Sequence, residues 1–102
     1  MSRFALTRRA ATDLEEIVLH VADDNLGAAY QLRDRFFDLF DRLARMPLMG
    51  HLRPDLTPEP VRFSPLQTYL VIYRPVEDGA EILRVLSGYR DVAALLGHPR
   101  KE

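Results

Sequence analysis

The side chains best suited to acid–base work near neutral pH are His20, His51 and His98, since only an imidazole titrates there without help from its surroundings. Each stands alone in the sequence. None falls in a metal-ligand spacing such as HExxH, and the chain has neither a glycine-rich phosphate loop nor a GxSxG elbow. All three read as exposed or capping side chains. Asp13, Glu15 and Glu16, like Asp34, Asp38 and Asp41, fall on the polar faces of amphipathic stretches, where solvated charge is expected. Ser64 and Ser87 have no recognisable nucleophile context. With no cysteine anywhere, a thiol nucleophile, a thiolate metal site and a disulfide scaffold are excluded. No catalytic residue, cofactor site or metal site is expected.

The cations are more informative. Lys101 is the only lysine among 14 basic residues, and arginine is the residue that pairs in planar, bidentate fashion with carboxylates; genomic base composition gives the same bias. Arg53, Arg62, Arg74, Arg84 and Arg90 lie in or beside segments with strand character. Arg62 and Arg84 fall inside such segments, and alternation puts each on one defined face of a sheet. A charge there needs water or a partner. Two readings stay open: a face that receives acidic groups of another protein or the phosphates of RNA, or arginines paired with carboxylates of their own chain. The formal net charge of -1 leaves no broad positive field to hold nucleic acid by counterion release.

These residues need elements to position them, and the 102-residue chain has room for one domain, 1–102, with one modest core. Its apolar fraction of 47% and charged fraction of 28% are those of a globular protein. Met1-Ser2-Arg3-Phe4 opens no long apolar run, and no stretch approaches the roughly 18 residues of a membrane span. A cytoplasmic protein without membrane contact is expected.

Phe4 and Leu6 alternate with polar neighbours, a short strand signal. Ala10, Leu14, Ile17, Val18 and Val21 recur at three- and four-residue spacing, which predicts an amphipathic helix over 8–22. Thr7 opens it, unless the Thr12–Glu15 pair is the capping box and the start lies later. Asp23-Asp24-Asn25 and Gly27 mark a turn and a new N-cap. Ala29, Leu32, Phe36, Leu39, Phe40 and Leu43 then share one face of a second helix to about Arg45. Two such helices joined by a short connection form an antiparallel hairpin. At 100° per residue Leu19 lies well off the first apolar stripe and Phe37 at the edge of the second, so both are expected near the surface. Pro47, Gly50, Pro54, Pro58 and Pro60 keep the next stretch a loop. Strands follow at Val61–Ser64, Tyr69–Arg74 and Glu81–Leu86, the last two joined through Glu77-Asp78-Gly79. Gly88 ends the sheet, and Asp91 caps a closing helix through Val92, Leu95 and Leu96 that Gly97 and Pro99 stop. The expected fold is α+β, in the order β-α-α-β-β-β with a terminal helix, the hairpin packed on a small, mainly antiparallel sheet.

Phe4-Ala5-Leu6-Thr7, then Ala10, Asp13-Leu14 and Ile17, then Pro47, Gly50 and Arg53-Pro54-Asp55-Leu56, then Arg62, Tyr69-Leu70-Val71-Ile72-Tyr73-Arg74-Pro75 and Ile82-Leu83-Arg84-Val85-Leu86-Ser87-Gly88-Tyr89-Arg90-Asp91 together resemble ParE toxins of the ParE/RelE superfamily, in that order and spacing. The resemblance spans nearly the whole chain and implies a toxin of a type II toxin–antitoxin system. It also implies a ParD-like antitoxin partner whose flexible C-terminal segment folds on contact, with operator DNA met only through that antitoxin. RelE-like members cut messenger RNA on the ribosome, whereas ParE-like members poison DNA gyrase. Where RelE-like toxins carry an arginine after the tyrosine that begins the penultimate strand, this chain has Leu70. Where they carry a tyrosine or histidine beyond the last strand, it has Val92, Ala93, Ala94, Leu95 and Leu96. Aliphatic groups neither bind phosphate nor transfer a proton. The resemblance thus favours a non-enzymatic gyrase inhibitor over a messenger-RNA endonuclease, and a non-toxic antitoxin-binding relative is a third reading. Leu19 and Phe37 suit a groove for an antitoxin helix, and Arg62, Arg74 and Arg84 suit acidic residues of its tail. Tyr89 and Arg90 are candidate contacts to the target.

Overall fold

The computed structural model describes residues 2–88. A strand β1 (Arg3–Leu6) leads into helix α1 (Arg8–Asp24) and helix α2 (Leu26–Arg45). Strands β2 (His51–Leu52), β3 (Arg62–Leu66), β4 (Tyr69–Val76) and β5 (Gly79–Leu86) follow. The five strands form one sheet in the order β1-β5-β4-β3-β2, with β1 parallel to β5 and every other pair antiparallel. The expected closing helix and the expected sites Tyr89 and Arg90 lie outside the described residues.

Thr7, rather than Thr12, caps α1: its hydroxyl accepts from the Ala10 amide at 3.0 Å and donates to the Leu83 carbonyl at 2.9 Å. One threonine thus satisfies an orphan helix amide and ties the helix start to β5. Asn25 is the lone residue between the helices; its extended backbone ends α1 while its side chain accepts from Ala28 at the start of α2.

The apolar stripes of both helices meet one face of the sheet. Leu14, Leu32, Phe36, Phe40 and Leu43 pack with Val71, Tyr73, Ile82 and Val85 in the main core. Val61, Phe63, Leu70, Ile72 and Leu86 form a second cluster. Gly79 makes the β1–β5 pairing possible: it adopts φ +151°, and a Cβ there would stand 1.9 Å from the Arg3 carbonyl oxygen.

Two elements depart from expectation. The loop after α2 contributes the short edge strand β2, whose pairing of His51 with Phe63 and Leu52 with Arg62 no alternation signalled. In β5 the register shifts: Ile72 faces Arg84 while the adjacent Tyr73 faces Ile82, which leaves Leu83 as an extra residue. Such a bulge bends the strand and re-aims a side chain. The face of Arg84 therefore does not follow from strict alternation.

Tyr73 holds the loop to the sheet. Its ring is buried, and its hydroxyl donates to the Pro47 carbonyl at 2.7 Å and accepts from the Gly50 amide at 2.8 Å. Burial pushes the phenol above its ordinary pKa, because the charged form would lose its hydration. Gly50 has to lack a side chain, since a Cβ would lie 2.6 Å from that hydroxyl.

Candidate functional site

Leu19 is 59% exposed and Phe37 is half-buried; together with Leu6, Ala11, Leu14, Glu15, Val18 and Arg33 they line an open groove along the α1–α2 hairpin. The Phe37 ring stands edge-on to Phe40, with centroids 5.7 Å apart, and lies 5.9 Å from Phe4. Its outer face carries the Arg33 guanidinium at 4.8 Å, a cation–π contact. The floor is apolar, and the rims hold one acid and one base.

Helix α2 also carries an exposed stripe that the core-directed periodicity hides. Leu26 and Tyr30 are 59% and 61% exposed, and with Arg33 and Phe37 they recur at i, i+4, i+7 and i+11, one face of α2. This second stripe is legible in the sequence once the first is assigned. From Leu26 to Phe37 it runs about 16 Å, at 1.5 Å per residue, enough for about three turns of a partner helix.

Of the two open readings for the arginines, pairing within their own chain is the one seen at Arg53, Arg74 and Arg84. Arg84, read as a docking cation, is engaged within the chain. Its Nε and Nη2 donate to the two Asp13 carboxylate oxygens at 2.7 and 3.0 Å, with side chains 13% and 12% exposed. Asp13 also accepts from the Val85 amide at 3.0 Å. Asp13 is thus no solvated surface charge, because it satisfies the backbone and the guanidinium beside the bulge. The pairing raises the pKa of Arg84 further, so the cation is fixed. Arg62 donates to the Gly50 carbonyl at 2.7 Å and holds the same loop as Tyr73. Arg74 meets its cross-strand neighbour Glu81 at 2.7 Å and stays 54% exposed. Of the three, Arg74 retains the most access to an acidic partner. At the rim of the loop, Arg53 chelates Asp55 through two bonds and lowers the pKa of that carboxyl.

A second cleft, which sequence reasoning missed, opens on the other flank of α1. Asp13, Glu16, Ile17, His20, Tyr69, Val85, Leu86, Ser87 and Gly88 line it. The helical spacing of 13, 16, 17 and 20 was its only signal. Leu70 is buried in the second cluster, at 2% exposure, and presents no side chain to a ligand.

A hairpin laid on a five-stranded sheet, with an apolar groove left open along it among the described residues, defines a small α+β domain. Residues 4–92 match the family described as the ParE toxin of the type II toxin-antitoxin system, parDE. The chain is 34% identical over 98 residues to Toxin ParE3 of Caulobacter vibrioides, covering 95% of this chain and 97% of that one. Its fold superposes with a TM-score of 0.71 and 25% identity on a chain of the chromosomal ParDE TA system from P. aeruginosa, covering 87% of this chain and 98% of the other. The chain belongs to the ParE toxin family of type II toxin–antitoxin systems, and its fold is theirs.

Proposed function

We propose that this ParE-type toxin works by binding proteins and not by catalysis: a ParD-like antitoxin neutralises it in the cytoplasm, and DNA gyrase is its target. The observation that carries the antitoxin reading is the open groove lined by Leu19 and Phe37, with the exposed Tyr30 and Leu26 on the same face of α2 as Phe37. An apolar stripe of that length on a small domain marks an interaction site, and an amphipathic helix is the element that fits a groove between two helices. Arg33 on the rim favours an acidic residue on the antitoxin helix, and Arg74 one further along its tail. The buried Leu70 supports the non-enzymatic reading, because the phosphate-holding arginine of the RNA-cutting relatives has no counterpart there. Gyrase rests on membership of the family.

The test is expression in a host cell with and without a co-expressed ParD-like antitoxin. Growth should stop with the toxin alone and resume with the pair. A Leu19→Asp, Phe37→Asp toxin should arrest growth but escape rescue. Rescue as complete as for the unchanged toxin would refute the groove assignment.

A further inference from the structure

We propose that the cleft on the far flank of α1 is the surface that grips the target, and that it takes a protein segment presenting an aliphatic side chain next to a lysine or arginine. This deepens the proposed function and rests on it. The geometry separates two docking sites by one helix. Ala11, Leu14, Glu15, Val18 and Leu19 face the antitoxin groove, whereas Asp13, Glu16, Ile17 and His20 face the cleft. A ligand in one need not touch the other.

The occupant follows from the lining. Ile17, Tyr69, Val85 and Leu86 supply apolar walls, the last two nearly closed to water, so an aliphatic or aromatic group belongs on the floor. At the rim stand Glu16 and His20, one helical turn apart and both exposed. Neither has an ion pair among the described residues, and among those residues no lysine or arginine lines the cleft. Asp13, the deepest of the carboxylates, is already neutralised by Arg84. The open negative charge is therefore at the mouth, where an incoming cation keeps part of its hydration and meets Glu16, while the phenol of Tyr69 and the imidazole of His20 offer further hydrogen bonds. A phosphate-bearing ligand is disfavoured by the same charges, which makes the occupant a basic stretch of protein and not nucleic acid.

The experiment uses the full chain and purified gyrase, with affinities for gyrase and for the antitoxin measured in parallel. Glu16→Arg with His20→Arg changes only exposed positions on α1. It should weaken gyrase binding about tenfold or more and leave antitoxin affinity within about twofold. His20→Glu, of opposite sign, should tighten gyrase binding and steepen its loss with salt. Leu19→Asp with Phe37→Asp should do the converse of the first variant, losing antitoxin and keeping gyrase. Gyrase binding unchanged in the double-arginine variant would overturn the assignment, as would loss of both partners together. An unaltered chain that fails to bind gyrase refutes the target reading itself, a result visible before any variant is made.

Discussion

Replacing Asp13 by leucine, or Arg84 by methionine, should separate what holds this fold together from what binds partners. The two side chains are 13% and 12% exposed and share two hydrogen bonds. Removing one leaves the other charge largely out of water, which costs roughly 3–5 kcal/mol for a fully buried pair. The residual exposure argues for the lower end, about 3 kcal/mol for Arg84→Met. Asp13→Leu also strips the Val85 amide of its acceptor, an additional ~1–3 kcal/mol. Removing both charges together avoids the unpaired ion, so the double variant should lose less than the singles combined, with a coupling energy of about 2–3 kcal/mol. Urea unfolding reads this directly: with a slope of about 1–3 kcal/mol/M, a 3 kcal/mol loss moves the midpoint by roughly 1–3 M at unchanged slope. A chain of this size has about 5–15 kcal/mol in hand, so Arg84→Met, at about 3 kcal/mol, stays folded without denaturant. Antitoxin affinity of Arg84→Met, measured on that folded protein, should match the parent. Single losses below about 1 kcal/mol with no coupling, or a tenfold fall in antitoxin affinity at undiminished stability, would refute the assignment of Arg84 to the fold.

Tyr73→Phe deletes one oxygen that serves both the Pro47 carbonyl and the buried Gly50 amide, and should cost about 1–3 kcal/mol in urea unfolding. Because the folded-state phenol is held above its unfolded value of 10.0, its contribution is fully present below that pH and is lost as pH rises through the folded pKa. The parent's stability should therefore fall at alkaline pH more steeply than that of the phenylalanine variant. Thr7→Val removes the α1 cap and the bond to Leu83 together, for about 1–2 kcal/mol in the same assay. Tyr30→Asp should weaken antitoxin binding by calorimetry without changing the unfolding free energy by more than about 0.5 kcal/mol, as befits an exposed position on α2.

Much of this architecture is written in local pattern. The helix stripes ending at Val21 and Leu43, the Asn25 cap and the Gly79 turn each follow from spacing or from a backbone need that few residues meet. Leu19 and Phe37 were legible for the same reason: they are apolar and lie off the core stripe. What escaped is non-local. β2 is held by a two-residue pairing with β3 and by Tyr73 and Arg62 reaching across to the loop, and no periodicity in 46–60 encodes those partners. Beside the Leu83 bulge, Arg84 pairs with Asp13, 71 residues away in sequence, a partner that alternation within one strand does not name. The cleft at Glu16 and His20 needed Tyr69, Val85 and Leu86 beside them, a juxtaposition made only by the docking of α1 on β5.

The central claim, toxicity through a protein grip without catalysis, is tested most directly by adding the purified chain to gyrase and supercoiled DNA while an actively translated messenger is followed with the same preparation. The account predicts lost supercoiling activity and accumulating linear DNA, an intact messenger, and reversal of both gyrase effects by stoichiometric antitoxin. A cut messenger beside an unaffected gyrase would contradict it.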